Sequence, residues 1–382
     1  MNLPLEYRWI AAATLVMAAA LGIGRFAYTP LLPQMVSELG WRLGAAGDLA
    51  SANYLGYMIG AFLAPSVFRT RHVRLWVALS FMASVATTYL GAQITQFSAW
   101  FALRFLAGVS SAFCLVIMTT HLIHVLSNLD KSSLGNVHFS GIGVGILVCM
   151  LSLSSSDPVQ VQWARLGGIA AVLMAGAWML LADQPLGLPD SYGGRAGSRP
   201  DPAPAIVWRL IIGYGFFGFG YVICATFIVV IAESISGISN AGLVWWAVGL
   251  SLVPSVYLWQ LAANRWGITP ALLAAYLVQR VGVLIAAVSG NIYMLLLACV
   301  LLGSTFAAIT ALGISAARAA MPNRVAFAVS AMTLSFALGQ LLGPALAGRM
   351  ADAFGNFFWA FMLAAVLLFA AAALTLQRRP RT

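Results

Sequence analysis

Two arginines set inside apolar runs, Arg25 and Arg104, are the residues of this sequence best suited to chemistry. A guanidinium at membrane depth costs from about 2.5 kcal/mol to well over 10, so such a side chain faces a protein interior or water rather than hydrocarbon. Around Arg25 stand Gly22, Gly24, Pro30 and Pro33, which loosen a helix and let neighbouring groups approach closely. No Asp or Glu lies in the middle of an apolar run: Asp48 and Glu233 fall near run ends, and the other eight acids lie in terminal or loop segments. Two buried guanidinium groups without a carboxylate partner suit an anionic ligand, which arginine grips through two parallel hydrogen bonds. The competing reading has both arginines bonded to helix carbonyls, to Asp48 or to water, in a structural or gating role. A third arginine, Arg280 beside Gln279, is expected to snorkel or to pack between helices.

His121 and His124 are three residues apart and so share a helix face, with His138 close by at the start of the next run. Histidine titrates near neutrality, which makes these three the candidates for proton coupling. The plainer reading is hydrogen-bonded packing between helices. As a zinc set they lack any recognised spacing, and no metal is expected. Tyr28, Asn53, Tyr54, Tyr57, Tyr214 and Tyr221 form an aromatic and amide set of the kind that lines small-molecule sites. Asn53 and Tyr57, four apart, share a face. Trp245 and Trp246 read more readily as anchors at the membrane surface. The sequence has no phosphate-binding loop, serine-nucleophile elbow or zinc-protease motif, so neither an enzyme nor a cofactor is expected.

The elements that hold these residues are membrane helices. Of 382 residues 62% are hydrophobic and 8% charged, where a soluble domain carries about a quarter charged residues. The apolar content falls into about twelve runs, each long enough to cross a hydrocarbon core of about 30 Å as a helix and too long for barrel strands. The expected spans are residues 9–33, 46–68, 75–95, 98–126, 134–155, 162–182, 206–232, 241–263, 270–289, 292–317, 325–347 and 357–376. The fold class is therefore all-α, a multi-pass membrane protein with the lipid bilayer as its main partner. The first run continues into the segment around Arg25 and reads as an uncleaved span rather than a signal peptide.

The net charge of +10 would suggest nucleic acid in a soluble protein. Here the basic residues sit at helix ends and in short loops, where they set orientation. With the N-terminus inside, fourteen Lys and Arg side chains fall on the cytoplasmic face and only Arg42, Arg165 and Arg349 on the other. Both termini are therefore expected in the cytoplasm, in the inner membrane. Cys114, Cys149, Cys224 and Cys299 all lie inside spans and read as small apolar residues.

One hydrophilic stretch, residues 183–205, is rich in Pro, Gly and Arg and reads as a flexible cytoplasmic linker between an N-terminal six-helix bundle, residues 1–182, and a C-terminal one, 206–382. A weak internal repeat accompanies the division. Gly22-x-Gly24 and Gly218-x-Gly220 stand 196 residues apart, Gly108 and Gly303 195 apart, and Gly141-x-x-x-Gly145 and Gly339-x-x-x-Gly343 198 apart. Six spans being even, the halves enter the membrane in the same sense, as a parallel repeat about the membrane normal.

Six plus six helices with such a linker resemble the major facilitator superfamily. The basic loop Arg69-Thr-Arg71-His72-Val-Arg74 is similar to the superfamily's loop between helices two and three, without its usual Gly and Asp, and Arg104 with Gly108 is similar to the arginine motif of its fourth helix. Gly22-Ile-Gly-Arg-Phe-Ala-Tyr-Thr-Pro-Leu-Leu-Pro33, with Asn53-Tyr-Leu-Gly-Tyr57 and Gly218-Phe-Gly-Tyr221, closely resembles the YbfB/YjiJ family within it. The resemblance implies that helices one, four, seven and ten line a central cavity, two, five, eight and eleven flank it, and three, six, nine and twelve face lipid. It implies a transporter and names no substrate.

On that frame Arg25, sixteen residues beyond Trp9, lies about 24 Å from the cytoplasmic boundary, and Arg104, six residues in from Ser98, about 9 Å below the outer one. Their repeat counterparts are Tyr221 and Cys299, which confines the positive charge to the N-terminal half. Arg25, Tyr28, Asn53, Tyr57, Arg104 and Tyr221 are thus the expected substrate-binding residues. Gly343-Pro344 resembles a helix break of cavity-forming helices. The reading is a monomeric secondary transporter of a small organic solute working by alternating access, with a small organic anion and proton coupling as its refinement. Export of drugs or sugars by the same fold stays open, and a non-transporting membrane sensor is the alternative from another class.

Overall fold

The computed structural model describes residues 4–131, 134–184, 204–236, 238–321 and 325–376. Most of the linker, Arg195, Arg199, Arg324 and the basic C-terminal tail lie outside the described residues. Twelve helices carry the described chain: α1 Leu5–Leu39, α2 Leu43–Leu63, α3 Val73–Leu90, α4 Phe97–Asn128, α5 Val137–Ser152, α6 Val159–Leu180, α7 Ala205–Ser236, α8 Ile238–Trp266, α9 Ile268–Val288, α10 Ile292–Ala320, α11 Val325–Phe354 and α12 Phe358–Thr375. Ten are long and apolar enough to cross a membrane on those grounds alone. Of the other two, α2 has the length but carries Asp48, Ser51 and Asn53, and α5 is short. Both are flanked by neighbours on several sides, which compensates for their weaker affinity for lipid.

The apolar surface divides as lipid contact requires. Large side chains such as Met82 on α3, Val172 and Met179 on α6, Val281 on α9 and Val366 on α12 point outward, whereas α1 and α7 are the most deeply buried helices. Backbone hydrogen bonds are satisfied within each helix, as hydrocarbon demands.

Helix α1 is the exception. Its middle, Ala18–Ile23, is a π-helical turn, with Gly24 N–H donating to Ala19 O and Phe26 N–H to Leu21 O. A four-residue turn follows before Tyr28–Leu39 resumes as α-helix. The local cause lies in the sequence. Pro30 has no N–H for the carbonyl of Phe26, and Thr29 N–H donates to that carbonyl at 3.2 Å instead of to Arg25 O. Such bulges recur at functional sites. Helix α11, by contrast, runs through Gly343-Pro344 as one helix, so the break expected there is absent. The Pro344 carbonyl lies close against Gly47 of α2.

The repeated glycines occupy equivalent contacts. Gly108 of α4 lies against the backbone of Asn53 and Tyr57 in α2, and Gly303 of α10 against Val248 in α8. Gly141 and Gly145 of α5 lie against Thr14 and Ala18 in α1, while Gly339 and Gly343 of α11 lie against Gly215 and Phe219 in α7. At each, a Cβ would overlap the facing chain, so hydrogen alone permits the approach.

The first six helices meet the last six through α2 with α11, α5 with α8, and α1 with α7. The side opposite the termini is closed. There Gly47 abuts Pro344 and Ala345, Gly348 abuts Leu43 and Gly44, Gly44 N–H donates to Asp352 Oδ2 at 2.9 Å, and Arg349 grips Asp48 at 2.7 and 3.0 Å. Thr29 Oγ1 donates to Ala225 O at 2.5 Å, joining α1 to α7 deeper in the same seam.

Candidate functional site

Arg25 leaves α1 just after the π-turn and is 4% exposed. Its guanidinium lies between two tyrosine faces of α2, with Cζ 4.4 Å from the Tyr54 ring centre and 4.3 Å from that of Tyr57. These cation–π contacts hold the group's plane and offset part of its desolvation, each at roughly 2 kcal/mol in a water-poor site. Nε and Nη2 have no hydrogen-bond partner. That pair forms one edge of the guanidinium, two parallel N–H donors with the spacing of a carboxylate's two oxygens.

Arg104 is equally buried but committed elsewhere. Its Nη1 donates to Gly24 O at 3.2 Å and its Nη2 to Arg25 O at 3.3 Å, the second being the carbonyl that Thr29 abandons at the helix break. Cζ sits 4.6 Å from the Tyr28 ring. Tyr28 in turn donates to Ala46 O at 2.8 Å, and Asn53 Nδ2 to the carbonyl of Arg104 at 3.0 Å. The six residues expected to bind a ligand therefore fall into two layers. Arg104, Tyr28 and Asn53 brace α1 against α2 and α4. Arg25, Tyr57 and Tyr221 stand where the first six helices meet the last six.

Tyr221 of α7 stacks within 8° of parallel on Phe306 and within 2° on Phe336, at 5.5 and 5.7 Å, and Gln340 Nε2 donates to its hydroxyl. Phe26 connects this stack to Arg25, with Cζ 5.7 Å from its ring and Phe306 5.9 Å beyond. Sequence reasoning placed Tyr54 in the aromatic set without counting it among the substrate-binding residues, and gave no role to Phe306, Phe336 or Gln340. For Gln340 a signal existed, a lone amide between Gly339 and Gly343 in an apolar helix. Trp245 was expected at the membrane surface; it is 1% exposed and packs on Phe26, 6.3 Å between rings.

Neither arginine meets an acid. The ion pairs among the described residues are Arg8 with Asp183, Lys131 with Glu6, Arg165 with Asp157, and Arg349 with Asp48. Asp48 is thus taken by α11, which removes it as a partner for Arg25 or Arg104. Arg280 lies 4.8 Å over the Phe369 ring, between α9 and α12, and Thr305 donates to its neighbour Gln279 at 3.2 Å.

The histidines lie elsewhere. His121 stacks on Trp9 at 5.7 Å and its Nδ1 donates to Ile117 O at 2.9 Å. His138 shares a hydrogen bond with Thr119 at 2.9 Å, and Asn128 donates to His124 at 3.3 Å. Seventeen residues separate His121 from Arg104 on α4, about 25 Å along the helix.

Comparison with known proteins fits this architecture. The family model described as "Uncharacterised MFS-type transporter YbfB" matches residues 17–376. Among solved structures, the nucleoside transporter NupG superposes with a TM-score of 0.72 at 15% identity, over 98% of this chain and 99% of that one. A bacterial homologue of the human lysosomal transporter Spinster, inward-facing and unoccupied, gives 0.68 at 16% identity, over 98% and 97%. At such identities the likeness shows the fold alone. A chloramphenicol resistance protein of Streptomyces lividans is 34% identical over 106 residues, which span 28% of this chain and 27% of that protein.

Proposed function

Because this chain belongs to the YbfB-type family of MFS transporters, we propose that it is a secondary transporter whose cargo is a small organic carboxylate held by Arg25. The observation that carries the reading is the free Nε–Nη2 edge of a buried guanidinium, clamped by Tyr54 and Tyr57. A buried donor without a partner costs about 1–3 kcal/mol, and more when charged. A ligand carboxylate would supply both acceptors and neutralise the charge. Arg104 is assigned the positioning role: by bonding Gly24 O and Arg25 O it holds open the turn that aims Arg25.

Transport then follows from where the groups are attached. Arg25, Tyr54 and Tyr57 belong to the half formed by residues 1–182, and Tyr221, Phe306 and Gln340 to the half formed by 206–382. A ligand bridging them contacts both bodies, and rocking of one against the other exposes it to either face. With both termini cytoplasmic, as the basic residues favour, the closed side is the outer one. The working unit is proposed to be a single chain. His121 Nε2 is buried without a partner, and His121 is our candidate for proton coupling, together with His124 and His138, at a distance from the anion.

A second reading, export of a drug-like compound, is favoured by the partial similarity to the chloramphenicol resistance protein. Uptake of radiolabelled benzoate, pyruvate and succinate into proteoliposomes, with and without a proton gradient, separates the two. Arg25→Ala is expected to abolish acid uptake, and Arg25→Lys, which keeps charge but loses the fork, to reduce it about 10- to 100-fold, the worth of one charged hydrogen bond. Acid uptake unchanged in Arg25→Ala would refute the carboxylate assignment and leave the export reading standing.

A further inference from the structure

We infer that the carried anion is an aromatic carboxylate, its ring lying on the aromatic wall that extends from Arg25. The inference rests on the carboxylate reading and adds the shape of the rest of the ligand. The wall is continuous. Phe26 adjoins the guanidinium at 5.7 Å, Phe306 meets Phe26 edge-on at 5.9 Å, Tyr221 lies parallel to Phe306 at 5.5 Å, and Trp245 flanks Phe26 at 6.3 Å. These rings come from α1, α10, α7 and α8, so both halves bring aromatic side chains to one level, directly beside the only anion-binding edge identified at this seam. All four rings are buried.

The polar equipment of the wall is sparse. Trp245 Nε1 and Gln340 Oε1 are buried without hydrogen-bond partners, one donor and one acceptor available to a ligand. A sugar or nucleoside would require a row of donors and acceptors to replace its lost water. A flat ring with few substituents does not. Ring-on-ring contacts add about two- to tenfold in affinity over equal apolar area, through offset or edge-to-face geometry. A saturated ring of the same size receives the area term only, and a cationic aromatic compound meets the charge of Arg25.

The test is isothermal titration calorimetry on the full chain in nanodiscs with three probes of nearly equal size: benzoate, cyclohexanecarboxylate and benzamide. Benzoate is expected to bind about two- to tenfold more tightly than cyclohexanecarboxylate, and benzamide more weakly than either. Phe306→Leu and, as an independent second variant, Trp245→Leu should each lower the ratio of the two acids toward one while cyclohexanecarboxylate still binds, which also demonstrates a folded site. Equal or tighter binding of cyclohexanecarboxylate to the unmodified chain would overturn the aromatic inference and spare the carboxylate reading. Benzamide binding as well as benzoate, or neither acid binding at all, would overturn the carboxylate reading and this inference with it.

Discussion

Replacing Arg349 with alanine removes the clasp that holds α11 against α2 on the closed side. The structure sets the magnitude. Arg349 makes two hydrogen bonds to Asp48, at 2.7 and 3.0 Å, but its side chain is 59% exposed and that of Asp48 31%. An ion pair that accessible contributes about 0.2–1 kcal/mol, and the bidentate geometry argues for the upper end. The neighbouring bond from Gly44 N–H to Asp352 is worth about another 1 kcal/mol. Arg349→Ala should therefore shift the balance toward the form open on this side about fivefold, and Arg349→Ala with Asp352→Ala, which removes the oxygen that accepts from Gly44, about thirtyfold at most, given tenfold per about 1.4 kcal/mol. The assay is labelling by a membrane-impermeant maleimide of a cysteine placed at Ala225, whose carbonyl receives Thr29 at the sealed seam. The four native cysteines are buried, and the chain without the added cysteine gives the background. Labelling should quicken by these factors, and the charge swap Asp48→Arg with Arg349→Asp should restore most of the original rate. If Arg349→Ala labels at the unmodified rate, the clasp does not hold the closed side and the argument from its geometry fails.

Arg104→Met should cost stability before it costs binding, because it leaves the Gly24 and Arg25 carbonyls unpaired; a loss of about 2–3 kcal/mol is expected, read as a lower unfolding temperature in detergent, with Arg104→Lys intermediate. Gly108→Val and Gly303→Val should damage the protein alike, each forcing apart a pair of helices whose backbones nearly touch, by at least about 1–3 kcal/mol; a harmless Gly303→Val beside a damaging Gly108→Val would break the equivalence of the two contacts, and folded yield by size-exclusion chromatography decides it. Arg280→Leu should change stability and uptake little, since its guanidinium lies over the Phe369 ring at the α9–α12 seam and leucine suits that surface. His121→Phe keeps the stack on Trp9 and removes the titrating nitrogen; uptake that keeps its full dependence on a proton gradient would exclude His121 from coupling.

The resemblance covering the first, second and seventh helices pointed to the family, and the family model then matched nearly the whole chain. Composition and run length were enough for the membrane class and the helix count, because both are properties of local stretches: a run of apolar residues must be helical in hydrocarbon whatever lies beside it. The glycine offsets were legible for the same reason, since a missing side chain marks a close approach without saying to what. Arg25 was visible as a charge out of place. What the sequence left open was which arginine is free. Arg104 and Arg25 look alike as letters, and only the turn at residues 24–27, with its abandoned carbonyls, draws one guanidinium into the backbone and leaves the edge of the other bare. The partner of Asp48 lies 301 residues away on α11, and Trp245 turned inward to Phe26 rather than to the membrane surface. Such pairings depend on how each helix is rotated about its axis and which half it faces, and those angles are decided by the packing of all twelve helices together.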